Sequence, residues 1–191
     1  MVSNHLTNFD VFVIGIHFTR MLNFMGKIEL FKNPAFAWFC RQMYVFPIRR
    51  GEPDRGALRY AEEMLKRGRV VGVFPEGHRS HGEGVQQGQP GIALLARRAG
   101  APILPVAITG TEQLSPPAVF RWRPWRRPRI TVTIGRPFIL AKERGRGENR
   151  AATDDIMIHV ARLLPPAYQG VYRDAIAVEA GAAQNAPATA P

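Results

Sequence analysis

Apolar positions along this chain switch between helical spacing and short β-branched runs, and the switches predict its elements. Val11 to Met21 is predicted as a helix that Thr7 or Asn8 can cap, with Asp10 in the first turn, where the helix dipole favours a negative charge. A second helix is expected within Pro34 to Met43, followed by a strand at Tyr44 to Ile48. Ala57, Leu58, Ala61, Met64 and Leu65 recur at three and four, so a helix opened by Pro53 runs to Gly68. Arg69 to Phe74 is predicted as a strand, Gly91 to Ala99 as a helix ended by Gly100, and Ile103 to Thr109 as the next strand. Arg129 to Ile134 makes another strand, and Asn149 to Leu164 a helix stopped by Pro165-Pro166. Strands alternating with helices predict an α/β fold, a single domain whose mostly parallel sheet is flanked by helices. That domain is expected to span residues 1–166, and the Ala-rich residues 167–191 a frayed helix and disordered tail.

A chain of 191 residues with 46% hydrophobic positions suffices for one core. Its formal charge of +11 points to an anionic partner: lipid headgroups, a phosphorylated substrate or nucleic acid. The one cysteine, Cys40, excludes an internal disulfide and lies in an apolar run where it is expected to pack. No signal peptide is visible, so a reducing cytoplasmic setting is expected. The most apolar stretch, Phe9 to Phe31, is interrupted by His17, Arg20, Lys27 and Glu29, so any membrane contact is expected to be peripheral. His17 is expected as a packed or surface histidine. His78 and His81 lack partners at ligand spacing, and Gly82, Gly84 and Gly88 lack a Gly-Lys-Ser/Thr ending, so neither a metal nor a nucleotide P-loop is predicted.

Two polar clusters carry candidate chemistry: Asn4-His5-Leu6-Thr7-Asn8-Phe9-Asp10 and Phe74-Pro75-Glu76-Gly77-His78-Arg79-Ser80. A hydroxyl is a poor nucleophile near neutral pH, and an imidazole suits the removal of its proton. On a single helix a five-residue offset would set His5 and Asp10 about 140° apart. They can meet only with His5 in the loop and Asp10 in the first turn, where the carboxylate would fix the imidazole tautomer. Arg50, after a strand, and Arg79, beside Gly77, suit phosphate oxygens because a guanidinium binds them bidentately. Arg49 is expected to point away from Arg50, since strand neighbours alternate. Gly77 allows a tight turn; Glu76 is expected to orient an arginine or accept a hydroxyl proton, the plainer alternative being a surface pair with Arg79.

The NHxxxxD pattern of His5 and Asp10, then Phe46-Pro47-Ile48-Arg49-Arg50-Gly51, then Phe-Pro-Glu-Gly-x-Arg-Ser, then Ile103-Leu104-Pro105-Val106-Ala107-Ile108, resemble four ordered blocks of the phospholipid/glycerol acyltransferase family, which includes the lysophosphatidate acyltransferases. The resemblance covers residues 3 to 140. It implies a glycerol-3-phosphate acyltransferase-like fold and transfer of a fatty acyl group, at a membrane surface, to a lysophospholipid acceptor. The donor would be acyl-CoA or acyl carrier protein, with no other cofactor. It implies His5 and Asp10 as catalytic, and Arg50, Glu76, Gly77 and Arg79 as lining the acceptor site. Lys27, in Gly26-Lys27-Ile28-Glu29-Leu30-Phe31, resembles a further family element that could reach the phosphate; a solvated helix position is the alternative. His78 stands where the family usually has threonine. Family members usually place a buried strand before the first block and carry apolar N-terminal helices, whereas Met1-Val2-Ser3 is expected to be too short to pair well in a sheet. The expectation is a chain truncated at its N-terminus or started too late.

Arg121-Trp122-Arg123-Pro124-Trp125-Arg126-Arg127-Pro128-Arg129 interleaves cations with indoles, a pattern suited to an anionic bilayer or to nucleic acid. Beside the acyltransferase blocks the lipid partner is expected and nucleic acid is not, which sets the protein peripherally on the cytoplasmic face of a membrane. The alternative is a non-catalytic basic protein that binds anionic membrane or nucleic acid through this segment.

Overall fold

The computed structural model describes residues 1–49, 51, 54–80, 83–114, 128–141 and 148–184. The β-branched and aromatic runs form strands β1 (Val2–Ser3), β2 (Leu22–Lys27), β3 (Val45–Ile48), β4 (Val70–Gly72), β5 (Pro105–Thr109) and β6 (Thr131–Ile134). They build two three-stranded sheets, β3-β2-β4 and β1-β5-β6, which a parallel bridge between Val2 and Val73 joins into the order β3-β2-β4-β1-β5-β6. Pairing is parallel except between β5 and β6. Such a sheet collects the loops after its parallel strands at one edge, where open α/β folds place their ligands.

Helices α1 (Asp10–Gly15), α2 (Pro34–Gln42), α3 (Arg55–Lys66), α4 (Gly91–Ala99), α5 (Glu148–Ala161) and α6 (Arg173–Gln184) complete the frame. Strand residues alternate between faces. Val2, Val71 and Val73 pack with Ala61 of α3, Ile92 and Leu95 of α4 and Ile156 and Val160 of α5. Leu22, Phe24, Val106 and Ile108 pack on the other face with Ile14 of α1. Asn33 caps α2, its side chain accepting from Ala35 and Phe36 N–H; Asp54 caps α3 by accepting from Ala57 N–H. Gly100 closes α4 in the left-handed conformation, as expected of a C-terminal glycine. Cys40 is buried, and burial pushes its thiol pKa up, consistent with packing.

Several expectations change. The helix expected over Val11 to Met21 ends at Gly15, and the chain turns into β2, the strand between β3 and β4. A buried parallel strand is apolar on both faces, so spacing alone cannot separate it from a helix. Lys27 therefore ends a strand instead of lying on a helix. Met1-Val2-Ser3 does pair: Val2 N–H donates to Leu104 O at 2.9 Å and Ser3 N–H to Val73 O at 3.1 Å, between β5 and β4. Residues past 166 return to the body before any tail: Val85 N–H donates to Tyr168 O, Val171 N–H to Val85 O, and Tyr172 is buried. Arg173–Gln184 is helical. Among the described residues no helix is long and apolar enough to cross a membrane.

Candidate active site

Strand β1 delivers Asn4 and His5 to the carboxyl edge, beside the segment after β4 that carries Phe74 to Ser80 and the turn after β5 that carries Gly110 and Thr111. Asn4 is locked in place: its Nδ2 donates to Ile108 O at 2.9 Å, and Ile108 N–H donates to its Oδ1 at 2.8 Å. His5 lies in the loop and Asp10 is the first residue of α1, the arrangement their spacing requires. Neither Thr7 nor Asn8 is the cap; Phe9 holds that position without a side-chain bond, and the Thr7 hydroxyl accepts from Phe9 N–H.

Asp10 is fully buried, and its carboxylate organises the loop. Oδ2 accepts from Leu6 N–H at 2.6 Å, Thr7 N–H at 2.9 Å and His5 Nδ1 at 2.8 Å. Oδ1 accepts from the hydroxyls of Thr111 at 2.6 Å and Thr7 at 3.3 Å. A carboxylate only accepts, so in the neutral ring Nδ1 carries the proton and Nε2 keeps its lone pair. Among the described residues Nε2 has no hydrogen-bond partner. The ring stacks on Phe74 with centroids 4.2 Å apart, and Phe74 stacks in turn on Phe24. The imidazole is thus fixed by a carboxylate at one nitrogen and by an aromatic plane across one face.

Glu76 departs from its expected role. It is fully buried; Oε1 accepts from His5 N–H at 2.8 Å and Oε2 from Gln86 N–H at 2.9 Å, so both oxygens hold backbone and neither meets Arg79. Burial pushes its pKa up to about 7, against the pull of these two N–H groups, with the nearby Asp10 charge adding a smaller push upward. Ser80 N–H donates to His5 O at 2.9 Å, so the segment after β4 holds the histidine backbone from both sides. Gly77 has φ +72°, a left-handed turn that favours glycine and carries the chain from buried Glu76 to exposed Arg79.

Arg79 is exposed and has no partner among the described residues, leaving its guanidinium available to an anion. Lys27 stands at the carboxyl end of β2, in register with Ile48 at the end of β3, half exposed and 3.6 Å from Glu29. Arg50, and residues 121–127 of the arginine and tryptophan segment, lie outside the described residues. His17 is exposed, with Nδ1 bonded to Val13 O. Sequence reasoning missed Phe74 under the imidazole, Asn4 as the strap to β5, and Thr111 on Asp10. Thr111 had a signal, since it follows a parallel strand at the edge where ligands bind.

A buried loop histidine paired with a helix-start carboxylate at the carboxyl edge of an α/β sheet is an arrangement chemically able to serve a general base. A family model described as Acyltransferase matches residues 1–109, more than half of the chain, and the protein belongs to that family. The 1-acyl-sn-glycerol-3-phosphate acyltransferase of Streptococcus pneumoniae is 37% identical over 116 residues, covering 60% of this chain and 42% of that protein. A chloroplastic 1-acyl-sn-glycerol-3-phosphate acyltransferase of Brassica napus is 29% identical over 117 residues, covering 60% of this chain and 34% of that protein. The crystal structure of the 1-acyl-sn-glycerophosphate acyltransferase PlsC from Thermotoga maritima superposes with a TM-score of 0.62 at 28% identity, covering 85% of this chain and 63% of that one. The chain therefore spans between about a third and two thirds of the length of these relatives.

Proposed function

We propose that this chain moves a fatty acyl group from a thioester, acyl-CoA or acyl carrier protein, to the free hydroxyl of lysophosphatidate or a related lysolipid, in phospholipid synthesis at the cytoplasmic face of a membrane. The observation that carries the reading is His5 Nδ1 held 2.8 Å from an Asp10 that is itself fully buried and hydrogen-bonded at both oxygens. The names of the relatives support a lysophosphatidate acceptor, and the exposed Arg79 with Lys27 at the same edge offers cations for its phosphate.

In this mechanism Nε2 of His5 takes the proton of the acceptor hydroxyl as its oxygen bonds to the thioester carbonyl carbon. Asp10 stabilises the resulting imidazolium through Nδ1–H. Collapse of the tetrahedral intermediate breaks the C–S bond, and the proton on Nε2 returns to the departing sulfur. Atoms and charge balance without a covalent acyl-enzyme.

The test follows labelled acyl transfer from acyl-CoA and from acyl carrier protein to lysophosphatidate in detergent, using this chain and its His5→Ala form. Transfer that the substitution abolishes is the expected result, and the donor arm giving turnover identifies the thioester. Transfer undiminished in His5→Ala would remove the histidine from the chemistry.

A further inference from the structure

Helices α1 and α2 carry apolar residues on the sides they turn away from the core. In α1 the buried positions are Asp10 and Ile14, while Phe12 and Ile16 lie about 160° around the helix from Ile14. Ile16 is 81% exposed, and Phe9, at the cap, is exposed as well. In α2 Ala37 and Cys40 face inward, while Phe36, Trp38 and Phe39 are exposed, Trp38 by 63%. The two outward faces meet: the Phe12 and Phe39 rings are 6.2 Å apart, and Phe36 and Phe39 5.9 Å. A helix apolar on every side belongs in a buried setting, and a contiguous exposed apolar patch marks an interaction surface.

Charge and composition select the partner. Between residues 11 and 49 the cations are Arg20, Lys27, Lys32, Arg41 and Arg49, against the single acid Glu29. Lys32, next to the α2 cap Asn33, and Arg41, in the last turn of α2, are both exposed, so cations flank that helix at its two ends and the patch between them is rich in aromatic rings. Phenyl and indole groups with a basic border suit the headgroup boundary of an anionic bilayer. The patch begins where the catalytic loop ends, since Asp10, bonded to His5, is the first residue of α1. We propose that the outward faces of α1 and α2 are the surface by which this protein lies in the interface of an anionic membrane, with the His5 loop beside the lipid. The inference rests on the lysolipid reading for its purpose but not for its geometry.

Trp38 is the natural probe. The chain has three tryptophans, so Trp122→Phe with Trp125→Phe leaves Trp38 alone, and Trp38→Phe leaves the other two. Vesicles of phosphatidylglycerol and phosphatidylcholine with brominated acyl chains should quench Trp38 and shift its emission to the blue. In the Trp38-only form, Ile16→Ser with Phe36→Ser should lower vesicle partitioning by about tenfold or more. The same pair should leave transfer to a short-chain lysophosphatidate, monomeric in solution, unchanged. Quenching confined to Trp122 and Trp125 would overturn the proposal, as would a Trp38 shielded in a sedimenting dimer that ignores vesicles. Quenched Trp38 in a chain inactive on soluble acceptor would keep the docking surface and sink the acyl-transfer reading; an active chain whose Trp38 stays unquenched would do the reverse.

Discussion

The two sides of helix α1 obey different rules. Inward, Asp10 and Ile14 are completely buried, and the Asp10 carboxylate gathers two backbone amides, two hydroxyls and the histidine. Outward, Phe12 and Ile16 are exposed, and the Phe12 ring lies against Phe39 of α2. Helix α3 shows what an ordinary surface helix does here: Ala57 and Ala61 face the core, while Arg55, Arg59, Glu63 and Lys66 are exposed. A six-residue helix is too short to be stable alone, so α1 persists because its inner side is anchored. The proposed chemistry falls on the anchored side and the proposed contact on the other, and substitutions should separate them.

The largest effect belongs inside. His5→Ala should lower transfer by about 10²–10⁴ on soluble and vesicle-borne acceptors alike, because it removes the proposed base and not a binding group. Asp10→Asn should fall in the same range in initial-rate assays, since an amide replaces one accepting oxygen with a donor while every group facing it is a donor. A variant that lost activity only on vesicles would place these residues on the contact side.

Packing sharpens the contrast at a smaller scale. Ile14→Ala should cost about 2–5 kcal/mol in urea unfolding, because it opens a cavity against Leu22, Phe24 and Ile108. Ile16→Ala, two residues on, should stay within about 0.5 kcal/mol without lipid. Equal losses would mean that the outward side is covered in the free protein.

Much of this division was legible in the residues. The 140° argument required His5 in a loop and Asp10 at a helix start, and both are found there. Helix α4 matches its expected limits, and α3 nearly does, because Gly100 and the three-four spacing are local signals; the side chain that caps α3, Asp54, was not singled out in the sequence. What failed depends on neighbours far along the chain. Strand β2 looks helical until β3 and β4 flank it, and β1 looks too short until Val2 and Ser3 are held between β4 and β5. Glu76 looked like a substrate contact because a carboxylate in a charged turn is usually exposed; its burial follows from the amides of His5, 71 residues earlier, and Gln86.

Glu76 gives the finest test of the inner side. Its pKa is raised to about 7 in the fold, against an ordinary value near 4.5, so the folded state holds the proton more tightly than the unfolded chain. Stability therefore falls as pH rises from about 4.5 to about 7 and levels off above, with a slope of at most about 1.4 kcal/mol per pH unit. Glu76→Gln removes the titration but leaves one of two backbone N–H groups facing an NH₂, which costs about 1–3 kcal/mol. Urea midpoints of both forms from pH 5 to 8 should converge toward high pH by the amount the wild type loses. A difference that stays constant would mean that the carboxylate is ionised throughout. The amides of His5 and Gln86 would then outweigh its burial, and Glu76 would hold the catalytic loop equally at every pH.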